Sequence, residues 1–422
     1  MTGNPKASGR RRTTALLGLF AAILVVSIIA YPDQAFSASL QGLTVWWKYV
    51  FPALLPFLIL SELLLGYGVV HALGTLLDPL MRNLLRIPGS GGWALALGAT
   101  IGHPAGARAA AALRKQGLLT RTEAERLLAV SHLSSPVFIV TIVGVGFLHS
   151  ARLGALLAAV HTVAALAVGL TIRLLSVRSQ ERETYVPGHP GQPPSGTLPA
   201  EPLTKRIITA MQDAHTKDGR AFGKLLGDAV SSSVQTLMMV GGYMIIFSVL
   251  VQIIEISRLT SIIQHAALLV TGSTSYGEAV RSAVTGLLEI HLGTYAFGAK
   301  SGLSGAFAAA AVAAVLGWGG ISSHLQVRSI TNDTDLGYMP FVAARLLHAA
   351  YSFVLTLAVW EPVSGWLGSA PSFAAGQPPS GTAAAYPQPV IALALLTAVI
   401  LLMLLLSLGF HRNGAHRSRV KS

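Results

Sequence analysis

Apolar residues run through this chain in stretches too long for the helices of a small soluble domain, and short polar clusters interrupt them at intervals. Stretches of spanning length fall at about 15–31, 46–69, 127–148, 153–175, 234–256, 303–327, 338–360 and 389–410. Each can cross a hydrocarbon core of roughly 30 Å as a helix. Two further apolar pieces, about 92–112 and 283–300, are shorter or broken by Gly, Pro, His and Glu. Between them lie an amphipathic piece, "HALGTLLDPLMRNLLRI" (71–87), a Pro/Gly/charge-rich linker (about 178–222) and a Pro/Ser/Ala loop (about 361–388). The composition of the linker and loop predicts loose order.

The bulk numbers agree with this pattern. The 422 residues have a mean hydropathy of +0.60 and only 11% charged residues, against about 25% in a soluble domain. The class is therefore an all-α polytopic membrane protein. No cysteine is present, which excludes disulfides, thiolate metal sites and thiol catalysis. The net charge of +13 sits mainly in tails and loops, as expected of cytoplasmic segments, so nucleic acid is not expected as a partner. Arg10–Arg12 ahead of Ala15–Tyr31 imitates a secretory signal, but "SAS" at 37–39 lies past the apolar run, so an uncleaved first span is predicted.

Charge then sets topology. Lys6 and Arg10–Arg12 place the N-terminal tail inside, and two spans return the chain inside at Arg82 and Arg86. The next basic loop holds Arg114, Lys115, Arg121 and Arg126, so both flanks of 92–112 share one side. That segment must enter and turn back at Gly102-His103-Pro104-Ala105-Gly106, which is tolerated at membrane depth only against protein or a wet cavity. Arg173, Arg178, Arg182, Lys205 and Arg206 keep the linker inside, whereas 361–388 has no Lys or Arg and falls outside. The prediction is about eight transmembrane helices plus two re-entrant hairpins, with both termini cytosolic.

Shifting the chain by 188 residues pairs Gly98 with Gly286, His103 with His291, and Ser134-Ser135 with Ser322-Ser323. These are the unusual polar positions inside both broken elements. The span 46–69 runs outward to inward and 234–256 the reverse, so the halves form an inverted repeat, the sequence pointer to a secondary-transporter site. The predicted division is 1–44 (tail and first span), 45–176 (first repeat), 177–223 (cytosolic linker), 224–360 (second repeat), 361–388 (external loop) and 389–422 (last span and basic tail).

Four polar clusters at membrane depth carry the candidate chemistry. In Gly102–Arg108, Pro104 suits the first position of a half-helix, whose following amides at Ala105–Ala107 offer partial positive charge to an anion. The plainer alternative is a packing kink. In "SHLSSP" (131–136), Pro136 frees a carbonyl that Ser131, His132, Ser134 or Ser135 can satisfy or share with a ligand. In "LEIHLGTYA" (288–296), Glu289 is expensive in an apolar setting; it carries a proton, binds a cation or pairs with Arg345, and His291 and Gly293 accompany it. In "GWGGISSHLQV" (317–327), Ser322, Ser323, His324 and Gln326 supply donors and acceptors, although small residues there also serve helix packing. Glu62, His161 and His348 are further intramembrane ionisable residues, with His161 read as structural. Catalytic signatures such as H-E-x-x-H, G-x-S-x-G and Walker A are missing, and no enzymatic activity, metal or cofactor is expected.

The stretches "FPALLPFLILSELLLGYGVV", "IGHPAGARAAAALRKQGLLTRTEAERLLAVSHLSSPVFI" and "GWGGISSHLQV" resemble the YlbJ-like family of sporulation integral membrane proteins, with paired nucleoside-recognition (Gate) domains. The resemblance covers roughly residues 45–360. It implies a multipass protein of the outer forespore membrane that moves dipicolinic acid during spore maturation. The expected partners are a small carboxylate substrate and the lipid bilayer, with self-association allowed. Two other readings stand beside it: a nucleoside transporter, and a non-transporting scaffold for spore-envelope assembly.

Overall fold

The computed structural model describes residues 5–176, 201–271, 276–300 and 305–367, and among them it contains helices and no strands. The elements are α1 (Pro5–Ala30), α2 (Pro32–Gly66, with a π-helical turn at Trp46–Val50), α3 (Val69–Leu76), α4 (Gly91–Thr100), α5 (Ala105–Lys115), α6 (Arg121–Ser131), α7 (Phe138–Phe147) and α8 (Ala151–Ser176). They continue with α9 (Leu203–Asp218), α10 (Phe222–Ile256), α11 (Leu259–Thr271), α12 (Tyr276–Leu288), α13 (Ile290–Lys300), α14 (Gly305–Trp318), α15 (Gly320–Thr331) and α16 (Tyr338–Leu367). Among the described residues, five segments are long and apolar enough to cross a membrane: α2, α8, α10, α16 and the joined α14–α15. The expected last span, 389–410, lies outside the described residues.

The repeat is visible in the element order. Adding 188 to the bounds of α2, α4, α6 and α8 gives 220–254, 279–288, 309–319 and 339–364. These fall on α10, α12, α14 and α16. Equivalent helices also lie side by side and run in opposite directions. On α2 and α10, the Ser248 hydroxyl donates to the Ala38 carbonyl, the Trp46 indole donates to the Leu237 carbonyl, and Gly66 faces Leu225. On α8 and α16, Arg152 donates to the Trp366 carbonyl while His161 lies against His348. Antiparallel contact between equivalent helices is the inverted relation that the charge pattern predicts.

Small residues bring the helices together, as expected where apolar burial alone does not drive association. A Cβ placed on Gly144 would lie 2.6 Å from the Gly154 Cα, and one on Gly317 would lie 2.8 Å from the Ala349 Cα. The α4–α5 hairpin packs in one apolar core with Leu127, Leu128 and Phe341, and α2, α7, α8, α13 and α14 share the other.

Several boundaries differ from the sequence reading. The helix expected at 46–69 begins at Pro32, so the boundary at 44/45 falls inside α2. The apolar runs 127–148 and 303–327 are each two helices, because His132–Ser135 and Gly319 leave helical geometry. Residues 361–367 continue α16 rather than opening a loop. The linker also contains an ordered piece: α9 docks against α2 and α3, with the backbone of Met211 so close to Gly68 that a Cβ there would lie 2.2 Å from its carbonyl oxygen. Arg206 on α9 pairs with the buried carboxylate of Asp78, which also accepts from Arg82 Nε at 2.5 Å. Charge-rich composition masked this helix because the partner that orders it lies 128 residues away.

Candidate functional site

Four interruptions of regular helix meet at the centre of the molecule. In the first repeat, α4 and α5 form a hairpin whose turn holds Gly102 at φ +90° and a cis His103–Pro104 peptide. Gly98 and Gly106 close its neck: a Cβ on either would lie 2.0 Å from the Ser131 carbonyl oxygen, at the end of α6. Only glycine admits that approach. The second interruption, His132–Ser135, follows directly. Ser135 caps the next half-helix by accepting from Phe138 N–H at 3.2 Å, with Pro136 at its first position.

The second repeat reproduces the arrangement. The α12–α13 hairpin turns at Glu289, and a Cβ on Gly293 would lie 2.2 Å from the Gly286 Cα. The α14–α15 interruption uses Gly319 and Gly320 at φ +85° and +78°, and Gly320 sits against the backbone of Glu289. Each hairpin also meets the broken helix of the opposite repeat. Phe138 packs edge-on to His291 at 5.0 Å, α5 packs on α15, and the two broken helices meet where His132 Nε2 shares a 2.9 Å hydrogen bond with Ser323 Oγ.

A cavity of about 370 Å³ lies between these elements, within the usual size range of small-molecule sites. Of the candidate substrate-binding residues named from the sequence, Gly102, His103, Pro104, Ala105, Ser135, Glu289, His291, Ser322, Ser323 and Gln326 line it. Ser322 and His291 are buried members of this lining, and neither the Ser322 hydroxyl nor His291 Nε2 makes a hydrogen bond among the described residues. Glu289 acts on its own helix: Oε2 accepts from Leu292 N–H and Oε1 from His291 Nδ1, both at 2.7 Å. Its carboxylate therefore occupies the positive end of α13, whereas α5 begins without a side-chain cap.

The remaining candidates hold the breaks together from behind. Arg345 does not pair with Glu289. Its guanidinium donates to the His132 carbonyl at 2.8 Å and to that of Ala129, satisfying the last carbonyls of α6. Gly106 and Gly293 are hairpin contacts, and Ser131 offers its carbonyl to the neck. Ser134 donates its N–H to His161 Nε2 at 3.2 Å, and His348 donates from Nε2 to the His161 carbonyl at 2.9 Å. His324 stacks on Trp318, with centroids 4.1 Å apart, and donates to its carbonyl at 3.2 Å. His132 stacks beneath His103, with centroids 5.4 Å apart, and does not line the cavity.

Arg108 and Glu62 bring charge to the cavity wall, and Trp93, Phe138 and Tyr243 bring rings. Arg108 follows Pro104 by one helical turn and forms no ion pair among the described residues. Its position four residues after the helix-starting proline was the available signal. The α10 residues Ser232 and Thr236 carried no such signal, since only the antiparallel packing on α2 brings them to the site.

Comparison with known proteins shows the family. A family model described as Gate, nucleoside recognition, matches residues 47–151, the segment from α2 through the hairpin to the start of α8. The sporulation integral membrane protein YlbJ of Bacillus subtilis (strain 168) is 39% identical over 354 residues, covering 83% of each chain. This chain belongs to that family. The matched Gate segment carries the α4–α5 hairpin and the His132–Ser135 break. No solved structure matches the chain.

Proposed function

We propose that this family member is a transporter for a small anionic metabolite, with dipicolinate as the favoured cargo, acting in the outer forespore membrane with both termini in the mother-cell cytosol. The carrying observation is the 370 Å³ cavity where the interrupted helices of two inverted repeats meet, the arrangement in which secondary transporters hold substrate. Arg108 supplies a cation on its wall with no ion pair among the described residues, and the uncapped start of α5 supplies oriented amides. The Ser322 hydroxyl and His291 Nε2 add two more groups for a planar dicarboxylate. Movement of one repeat against the other would give alternating access. No bond-breaking chemistry is assigned to the site.

The Gate description of residues 47–151 and the rings of Trp93, Phe138 and Tyr243 favour a nucleoside as the second reading. A thermal-shift series on purified protein separates the two. A ligand at 100 times its Kd adds about 2.7 kcal/mol to apparent stability. Dipicolinate is expected to raise the melting temperature and uridine or adenosine to leave it unchanged; the reverse result assigns the cavity to nucleosides. A scaffold role would leave function intact in Ser135→Ala and Ser322→Ala chains, whereas the transporter reading expects both to weaken ligand binding.

A further inference from the structure

A second, smaller cavity of about 150 Å³ lies at the other end of the α2–α10 pair. It is lined by Ala38 and Gln41 near the start of α2, and by Ser248, Gln252 and Glu255 near the end of α10. The main cavity takes the opposite ends, Leu54–Leu65 on α2 and Ser232–Tyr243 on α10. At roughly 1.5 Å per residue, Gln41 and Glu62 are about 30 Å apart along α2, close to the thickness of a bilayer core.

The two cavities are related by the repeat. The 188-residue shift carries Trp93, Leu97, Pro104 and Arg108 of the main cavity onto Arg281, Thr285, Leu292 and Ala296, all of which line the small one. Aligning the ends of α2 and α10 (256 − 66 = 190) carries Leu58, Glu62 and Leu65 onto Ser248, Gln252 and Glu255, which line it too. One repeat thus encloses a wide space at this flank and the other a narrow one. The equivalents also change chemistry, since Trp93, Leu97, Leu58 and Leu65 become Arg281, Thr285, Ser248 and Glu255. Inside the small cavity, Arg281 grips Glu255 with two hydrogen bonds of 2.6 and 2.9 Å, the bidentate geometry that a guanidinium gives any carboxylate.

A single helical turn divides the compartments. Glu289, Ile290 and His291 face the main cavity, and Leu292, whose N–H is held by Glu289, faces the small one. We propose that the small cavity is the second compartment of the transport path, reached by the same small carboxylate when the repeats exchange conformations. In that state Arg281 releases Glu255 and takes the substrate carboxylate in its place, with Ser282 and Thr285 alongside. This inference rests on the transporter reading for its cargo, while the position of the compartment rests on the repeat alone.

The absence of cysteine makes the test direct. Single Glu62→Cys and Gln252→Cys chains, in right-side-out and inside-out vesicles, are treated with a membrane-impermeant maleimide. The expected result is labelling of the two chains from opposite faces. Adding Glu255→Gln should raise the rate at Gln252→Cys at least tenfold, and Arg281→Lys serves as a second way to weaken the pair. Labelling of both from one face, or rates at Gln252→Cys unchanged by both gate variants, overturns the proposal. Protection of Glu62→Cys by dipicolinate reports separately on the cargo: loss of protection with sidedness intact refutes the cargo and leaves the second compartment standing.

Discussion

The Ser131 carbonyl, wedged between Gly98 and Gly106, offers a sharp perturbation. A methyl group on Gly98 would place carbon 2.0 Å from that oxygen, where a relaxed contact needs roughly 3.3 Å. The hairpin or the end of α6 must therefore move by more than 1 Å. Neither yields easily, because Gly106 closes the other side at the same 2.0 Å and Arg345 ties the adjacent carbonyls in place. Overpacking of this kind costs about 1–3 kcal/mol, and more where no direction of relief exists. Against it stands a gain of about 0.5–1 kcal/mol for alanine over glycine within a helix. The net expectation for Gly98→Ala is a loss of about 2 kcal/mol, a fall of several degrees in melting temperature, with weakened ligand stabilisation because the hairpin tip lines the cavity. Gly227→Ala on α10 is the control: nothing lies within 4 Å of its Cβ, and it should match or exceed the parent. The assay is thermal unfolding of both variants with and without dipicolinate. A Gly98→Ala chain as stable as the Gly227→Ala chain would refute the close-packed neck.

Asp78→Asn strips the charge partner from Arg82 and Arg206 in a buried setting; breaking such a network costs about 3–5 kcal/mol, and proteolysis should then cut within α9 before the rest of the chain. Glu289→Gln keeps one acceptor for two donors, so uptake into vesicles should fall at least tenfold or lose its pH dependence, and unchanged transport would remove Glu289 from the mechanism. Arg345→Lys retains charge but not the fork that reaches both carbonyls; stability should fall by about 1–3 kcal/mol for the carbonyl left unpaired, and a stable variant with weakened binding would instead make Arg345 a substrate contact. Outside the spans, the Arg114 guanidinium beside Asp335 holds that carboxyl below its ordinary range. A lowered folded-state pKa gives stability that is present above the unfolded value and lost as pH falls through the folded one. The parent should therefore lose more melting temperature than Asp335→Asn between pH 5 and about pH 3, and equal losses would show the pair to be idle.

Much of this was legible because membrane helices announce themselves by composition and polar interruptions are rare within them. The repeat offset, the hairpin turns at Gly102–Pro104 and Glu289, and ten cavity residues follow from those interruptions alone. The roles of the remaining candidates did not, for a physical reason. Arg345 and His324 look like ligand groups in sequence, yet a broken helix leaves its own carbonyls and amides unpaired, and these residues supply partners, as His161, read as structural, also does. Sequence pattern marks which positions are polar, but whether a side chain serves substrate or backbone depends on which helix packs behind it. The docked helix α9 escaped for the same reason, since Asp78 and Gly68 order it from a distant segment.

Carriage of a small carboxylate through the cavity between the repeats is open to direct measurement. Uptake of labelled dipicolinate into proteoliposomes tests it most directly, comparing the parent with Arg108→Gln. The expected result is saturable uptake in the parent and a reduction of at least tenfold when the cation on the cavity wall is removed. Uptake no greater than in empty liposomes, or uptake indifferent to Arg108, would contradict it.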